Sequence, residues 1–339
     1  MPVGEKRLIQ NIRRWARRGP TVATGIGDDC AVLRVPRGHE LLVTTDFSIE
    51  NVHFRRDWHS PEVAGRRCLT RGLSDIAAMG GEALAAFLSL AVASDVPQKW
   101  VDRFLKGLLD LANEFKVPLA GGDTAQSPAG IQADIVVVGS VPKGRAVLRS
   151  GAKPGDLIYV TGELGGAAAF LAELKRAESK LAGARLSGRL SVSGRSAGES
   201  SRHTFIRHAF KGPQPRLAVG QRLRLRGMAS AMIDVSDGLS TDLEHICQES
   251  DVGAEIEAAA IPRALAGSGK RVGLEFALHG GDDYELLFTS AAKVPARVAG
   301  VRVTCIGRIM RSRGMRLIDA DGKARRLKAE GWEHFLQNS

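Results

Sequence analysis

Apolar residues along this chain come in short runs that break at Gly, Asp and Ser. Leu41–Thr45 reads as a buried strand that delivers Asp46 at its C-terminal end. Ser60-Pro61-Glu62 has the form of a helix start, with Ser as N-cap and Pro at the first position. That helix carries Leu69, Leu73 and Ile76 at helical spacing and stops at Gly80-Gly81. Phe87–Val92 predicts a second strand. Ser94–Phe115 predicts a helix with Val101, Phe104, Leu105, Leu108, Ala112 and Phe115 on one face. Val117–Ala120 is a short strand leading into Gly121-Gly122-Asp123, and Ile131–Val141 is apolar enough for a strand buried on both faces.

The breakers in Ser150-Gly151-Ala152-Lys153-Pro154-Gly155 mark a domain boundary, giving domains 1–150 and 151–339. The second half opens with a strand at Leu157–Val160, and Gly165-Gly166 enters a helix through Ala168, Leu171 and Leu174. Residues 179–212 are rich in Ser, Gly and Arg without clear periodicity, which reads as a flexible insertion. Pro215–Arg226 looks helical. Ala229–Asp234 is a strand, followed by a helix over Leu239–Cys247 with Leu239, Leu243, Ile246 and Cys247 inward. Further strands fall at Glu285–Thr289, Val301–Ile306 and Met315–Ile318. Alternation of strands and helices in both halves predicts two α/β or α+β domains.

With 339 residues, 44% of them hydrophobic, the chain can bury two cores. No apolar stretch reaches the ~20 residues that span a bilayer. The Arg-rich start, 1–20, contains Glu5 and lacks an apolar signal core, so it reads as part of the fold. Cys30, Cys68, Cys247 and Cys305 form no CxxC pair; free buried thiols in a reducing cytoplasm are the expectation. The net charge of +11 raises nucleic-acid binding, but aromatics make up only 5% and offer little for base stacking. A basic surface that steers anionic substrates accounts for the charge equally well.

Polar chemistry concentrates where Asp meets Gly, Ser and Thr beside the apolar runs: Gly27-Asp28-Asp29, Thr44-Thr45-Asp46, Ser74-Asp75, Gly121-Gly122-Asp123-Thr124, Asp234-Val235-Ser236-Asp237-Gly238 and Gly280-Gly281-Asp282-Asp283-Tyr284. Two carboxylates ~4 Å apart repel by ~4 kcal/mol at a surface-like dielectric. Divalent cations are the natural remedy, and glycines that allow close approach point to a phosphate ligand. Each segment alone is weak: Ser236 and Asp237 make good N-caps, Gly121-Gly122-Asp123 could be a turn, and a lone His53 is more often structural than a ligand. Recurrence after apolar strands is what carries the reading, because strand ends of one sheet lie side by side. Walker A, dinucleotide GxGxxG, HExxH, GxSxG and kinase HRD signatures are absent.

Taken in order, these segments resemble the thiamine-monophosphate kinase family. Gly25-Ile26-Gly27-Asp28-Asp29-Cys30-Ala31, Thr44-Thr45-Asp46 with Asn51-Val52-His53-Phe54, Leu73 through Gly80, Gly121-Gly122-Asp123-Thr124, Arg149 through Asp156, Ile233 through Leu239, Gly280 through Leu286 and Gly331-Trp332-Glu333-His334-Phe335 carry the resemblance. It covers nearly the whole chain outside 179–212. It implies the two-domain aminoimidazole-ribonucleotide-synthetase-like fold, a homodimer that pairs its N-terminal sheets, and ATP bound near that interface. The implied reaction passes the γ-phosphoryl group of ATP to thiamine monophosphate, with several Mg²⁺ ions and no catalytic side chain acting as a base. By resemblance, Asp29, Thr44, Thr45, Asp46, Asp75, Asp123, Asp234 and Asp237 are metal ligands. Gly122, Asp123, Arg149 and Ser236 would contact ATP, and His53, Asp282 and Trp332 the thiamine substrate. Asp28 and Asp283 are read as structural neighbours. The family commonly has Glu where Asp282 stands, and an aromatic near Leu105-Lys106-Gly107, so no adenine-stacking role is carried over there. Related synthetases with other acceptors, and a non-catalytic nucleotide or nucleic-acid binder, are the competing readings; residues 1–24 lack the reactive Cys that a selenophosphate synthetase would need.

Overall fold

The computed structural model describes residues 4–17, 19–27, 29–186, 212–266 and 269–332, with backbone alone over 180–186. Contacts divide the chain into two compact units, Met1–Leu148 with Gly212–Gly227, and Arg149–Lys211 with Met228–Ser339.

The first unit begins with helix α1 (Glu5–Trp15) and a short antiparallel pair, β1 (Val22–Thr24) with β2 (Val32–Leu33). Strands β3 (His39–Ile49), β4 (Glu82–Val92), β5 (Leu119–Gln126) and β6 (Ile131–Pro142) form a sheet in the order β3-β6-β4-β5. Only β4 and β5 run parallel. Helices α2 (Pro61–Ala78) and α3 (Gln98–Glu114) pack on each other, with α2 against β3 and β6. The α2 cap is as expected: Ser60 Oγ accepts the Val63 N–H at 3.3 Å, and Pro61 stands at the first position. Leu69, Leu73 and Ile76 are at most 1% exposed, each adding ~1.5–3 kcal/mol of burial. The helices approach closely because Gly65 faces the Phe104 carbonyl and Gly107 faces the backbone of Glu62; a Cβ at either would lie 1.9–2.0 Å from a carbonyl oxygen.

Four expectations are corrected here. The strand expected at Leu41–Thr45 is longer, so Asp46 lies inside β3 rather than at its end. It is not buried either: period-2 alternation puts Leu42, Thr44 and Asp46 on one face, while Leu41, Val43 and Phe47 on the other are 52%, 66% and 59% exposed. β6 alternates too, with Ile131, Ala133, Ile135 and Val137 buried and Gln132 and Asp134 turned the other way. Gly121-Gly122-Asp123 is no turn but the middle of β5. Two of the four thiols expected to be buried, Cys30 and Cys305, are exposed.

In the second unit a mixed sheet runs β14-β13-β9-β12-β7-β10-β8, with β11 paired to β12. Its strands are β7 (Leu157–Thr161), β8 (Ala231–Asp234), β9 (Gly253–Glu257), β10 (Leu286–Ser290), β11 (Arg297–Val298), β12 (Val301–Met310), β13 (Gly314–Ile318) and β14 (Ala324–Leu327). Helix α4 (Gly166–Leu186) follows β7 and extends eight residues into the stretch read as an insertion; 187–211 lies outside the described residues. Helix α5 (Leu217–Leu225) belongs to the first unit, so the segment after 212 departs from a simple division at 150. There Gly220 faces the Ala77 carbonyl, and Arg224 Nε donates to the Gly80 carbonyl at 2.7 Å. Helices α6 (Leu239–Glu249) and α7 (Leu274–His279) complete the second unit. Its core gathers Ile158, Val160, Leu243, Ile256, Leu287 and Ile306.

Candidate active site

The first unit brings its motif residues to two places. One is a cavity of about 590 Å³ between α1, the Gly25–Ala31 loop and β5, with Asp29, Gly122, Asp123 and Thr124 in its wall. Ile9, Ile12, Ile26, Phe87 and Leu119 supply an apolar lining, a composition typical of small-molecule sites. Gly122 sits at φ +143°, and a Cβ there would lie 1.9 Å from the Leu88 carbonyl. Its glycine is therefore demanded by the neighbouring strand, which lets β5 lie flat beside β4 at the cavity wall. Gly27, at φ +117°, is covered by the Arg13 guanidinium, which brings a cation from α1 to the cavity rim. Asp28 lies outside the described residues.

The second place is the seam between β3 and α2. Thr44 Oγ1 donates to Asp75 Oδ2, and Asp46 shares the Thr44 face of β3. Asp75 is near the C-terminal end of α2, where the dipole disfavours a negative charge, and the Thr44 hydroxyl offsets part of that. Thr45 points the opposite way, so its hydroxyl does not join Thr44 and Asp46; it donates to Asp134 Oδ1 at 2.7 Å. Asp134 was missed in the sequence because its run reads as buried on both faces; the polar Gln132 and Asp134 at alternate positions are the signal. His53 Nδ1 accepts the Ile49 N–H at 3.0 Å, which puts the proton of the neutral ring on Nε2. Among the described residues, no three His, Cys, Asp or Glu side chains form a ready ion cage. Cys68, behind this seam, is inert: burial pushes its thiol up to about 12.

The second unit gathers Ser236, Asp237, Asp282 and Trp332. The Asp282 N–H donates to the Ser236 carbonyl at 2.8 Å, and the Trp332 N–H to the Asp237 carbonyl at 3.0 Å. Asp282 has φ +69°, and its Oδ1 accepts the Tyr284 hydroxyl at 2.9 Å. A non-glycine residue in the left-handed region marks a constrained loop. Asp234 ends β8 and is buried. Ser236 and Asp237 do not cap the following helix, as the sequence suggested. Gly238 at φ +117° is its N-cap, and Asp242 on the first turn of α6 accepts the N–H groups of Ser236, Asp237 and Gly238 at 3.1–3.2 Å. Burial, then the charges of Asp234 and Asp237, hold the Asp242 carboxyl well above its ordinary range. An acid in the first turn was its sequence signal. Asp283 likewise serves the framework, accepting the Gly165 N–H at 2.7 Å at the start of α4; burial pushes it up to about 8. The Arg149 carbonyl accepts from Ser250, at the C-terminal end of α6, while Ser236 and Asp237 precede the N-terminal end.

Both halves carry the same class signature. Residues 27–141 match the AIR synthase related protein N-terminal domain and 153–298 the corresponding C-terminal domain, so the chain has the two-domain fold of AIR-synthase-related proteins. Within that class the chain is 39% identical over 324 residues to the thiamine-monophosphate kinase of Escherichia coli O157:H7, covering 93% of this chain and 92% of that one. The crystal structure of thiamine-monophosphate kinase from Stenotrophomonas maltophilia K279a superposes with a TM-score of 0.74 at 32% identity, covering 96% of this chain and 99% of that one. AaThiL complexed with AMPPCP and TMP follows at 0.71 and 29%, covering 98% and 97%. The chain belongs to the thiamine-monophosphate kinase family.

Proposed function

We propose that this protein transfers the γ-phosphoryl group of ATP directly to thiamine monophosphate, giving thiamine diphosphate and ADP. The observation that carries the reading is the cavity where the Gly25–Ala31 and Gly121–Thr124 motifs meet, in a chain whose relative AaThiL is complexed with AMPPCP and TMP. In this reading Gly122, Asp123, Arg149 and Ser236 contact ATP. The assigned donors, Asp29, Thr44, Thr45, Asp46, Asp75, Asp123, Asp234 and Asp237, offer carboxylate and hydroxyl oxygens, the Thr44 and Thr45 hydroxyls keeping their lone pairs while donating to Asp75 and Asp134. Such hard donors suit Mg²⁺, which is commonly held by one or two carboxylates plus substrate phosphates rather than by a protein cage. Mg²⁺ held by these oxygens would screen the triphosphate charge.

The acceptor is a phosphate oxygen, anionic at neutral pH, so no side chain has to remove a proton. His53 presents its Nε2–H to the thiamine substrate, Asp282 its carboxylate held by Tyr284, and Trp332 a half-exposed indole fixed by its backbone bond to Asp237. The reading includes a homodimer and a cytoplasmic enzyme. Among the described residues no helix is long and apolar enough to cross a membrane. The deciding experiment incubates the protein with ATP, Mg²⁺ and thiamine monophosphate. Thiamine diphosphate should form, EDTA should abolish it, and no phosphoprotein should accumulate with ATP alone. Absence of product would overturn the assignment, and a stable phosphoenzyme would overturn direct transfer.

A further inference from the structure

We propose that the Thr124 hydroxyl is a binding contact for the nucleoside triphosphate, donating to one of its phosphate oxygens; this rests on ATP occupying the β5 cavity. Thr124 lies on β5 among the cavity-lining residues, directly after Asp123. Its Oγ1 is buried and has no hydrogen-bond partner among the described residues. A buried orphan hydroxyl costs free energy in the unliganded protein, and native structures keep few of them. The backbone does not compensate here: the Thr124 N–H donates to Asp123 Oδ1 at 2.8 Å, while the hydroxyl is left over.

The lining explains why the partner comes from a ligand. Asp29, Asp123 and Thr124 are its strongly polar members; the others are apolar residues, glycines and Cys30. A carboxylate cannot donate, so Thr124 is the side chain in this wall able to donate a hydroxyl hydrogen bond to an anionic ligand oxygen. Placed beside Asp123, it would add a neutral donor next to negative charge, which suits a phosphate without adding to the repulsion.

The test compares Thr124→Val, Thr124→Ser and Thr124→Ala. Valine keeps the β-branched shape that suits a strand and removes the hydroxyl. Affinity for ATP and for a non-hydrolysable analogue is measured by calorimetry, with adenosine as control, alongside thermal unfolding without ligand and steady-state kinetics. Thr124→Val should weaken ATP about tenfold or more. It should leave adenosine affinity and the KM for thiamine monophosphate unchanged, and unfold at the same or a higher temperature than the native protein. Thr124→Ser should restore ATP binding. Should the valine variant not fold, the Ser-to-Ala difference carries the same test. Equal ATP affinity of the hydroxyl and hydroxyl-free variants overturns the contact while leaving the kinase reading intact. Equal losses for adenosine and ATP also overturn the phosphate contact. A native protein that binds no ATP overturns the cavity assignment on which the contact rests.

Discussion

At the scale of single residues, spacing and chemistry single out Asp46 and Asp75, and the fold sets Thr44, on the Asp46 face of β3, against Asp75. Asp75 lies in the last turn of a helix whose N-cap was readable, and Thr44 on the facing strand donates to it. Asp75→Asn keeps the shape and can still accept from Thr44, so unfolding should change little while kinase turnover falls ~10²-fold or more. Near-native turnover at moderate Mg²⁺ would remove Asp75 from the machinery. Asp242 and Asp134 were harder to see, because their partners are backbone or side-chain groups in register only after folding. Asp283 makes a residue-scale prediction of its own. Its carboxyl goes from an ordinary value of 3.8 to about 8 in the fold, so folding favours the protonated form. Its contribution is fully present below about pH 4 and is lost as pH rises through about 8. Asp283→Asn, which retains an acceptor for the Gly165 N–H, should flatten the stability–pH curve across that window. Urea unfolding at several pH values checks this; parallel curves for the two proteins would refute it.

Helices were more legible than strands at the scale of elements, for a physical reason. The α2 face repeats every three to four residues and its start has a cap, whereas β3 and β6 looked like solid apolar runs and proved to alternate. A run of Leu, Val and Ile does not reveal which face is covered; pairing with neighbours decides it. The same limit applies to Gly121-Gly122-Asp123, whose glycines suggest a turn or a ligand but are required where Gly122 meets the Leu88 carbonyl. Close element contacts are where small residues count most. Gly107, two residues after Leu105, where the family often has an aromatic, lies against the Glu62 carbonyl in the α2–α3 crossing. Gly107→Ala should therefore push the helices apart and lower the urea midpoint, by ~1–3 kcal/mol of stability. An unchanged midpoint would show that the crossing relaxes without strain.

At the scale of the whole molecule, the breakers near 150 fall close to the division between units, but the return of Gly212–Gly227 to the first unit was invisible, since no local pattern encodes a contact of α5 with α2. Sequence patterning also hid the face of β3 carrying Leu41, Val43 and Phe47, each more than half exposed. Scattered exposed apolar residues are normal, but Leu41, Val43 and Phe47 share one face of an edge strand, broken only by Thr45, and such clustering marks contact surfaces. In a homodimer pairing the first-unit sheets, that cluster is covered by its own copy. Phe47→Asp places a charge at one end of it, on the face opposite Thr44 and Asp46. The native protein should sediment as a dimer and the variant as a monomer with an unchanged circular dichroism spectrum. If ATP binds near that interface, the monomer should also lose turnover, and raising its concentration should recover activity in step with re-formed dimer. A native protein that sediments as a monomer would overturn the homodimer, and a variant that remains dimeric would place the partner surface elsewhere.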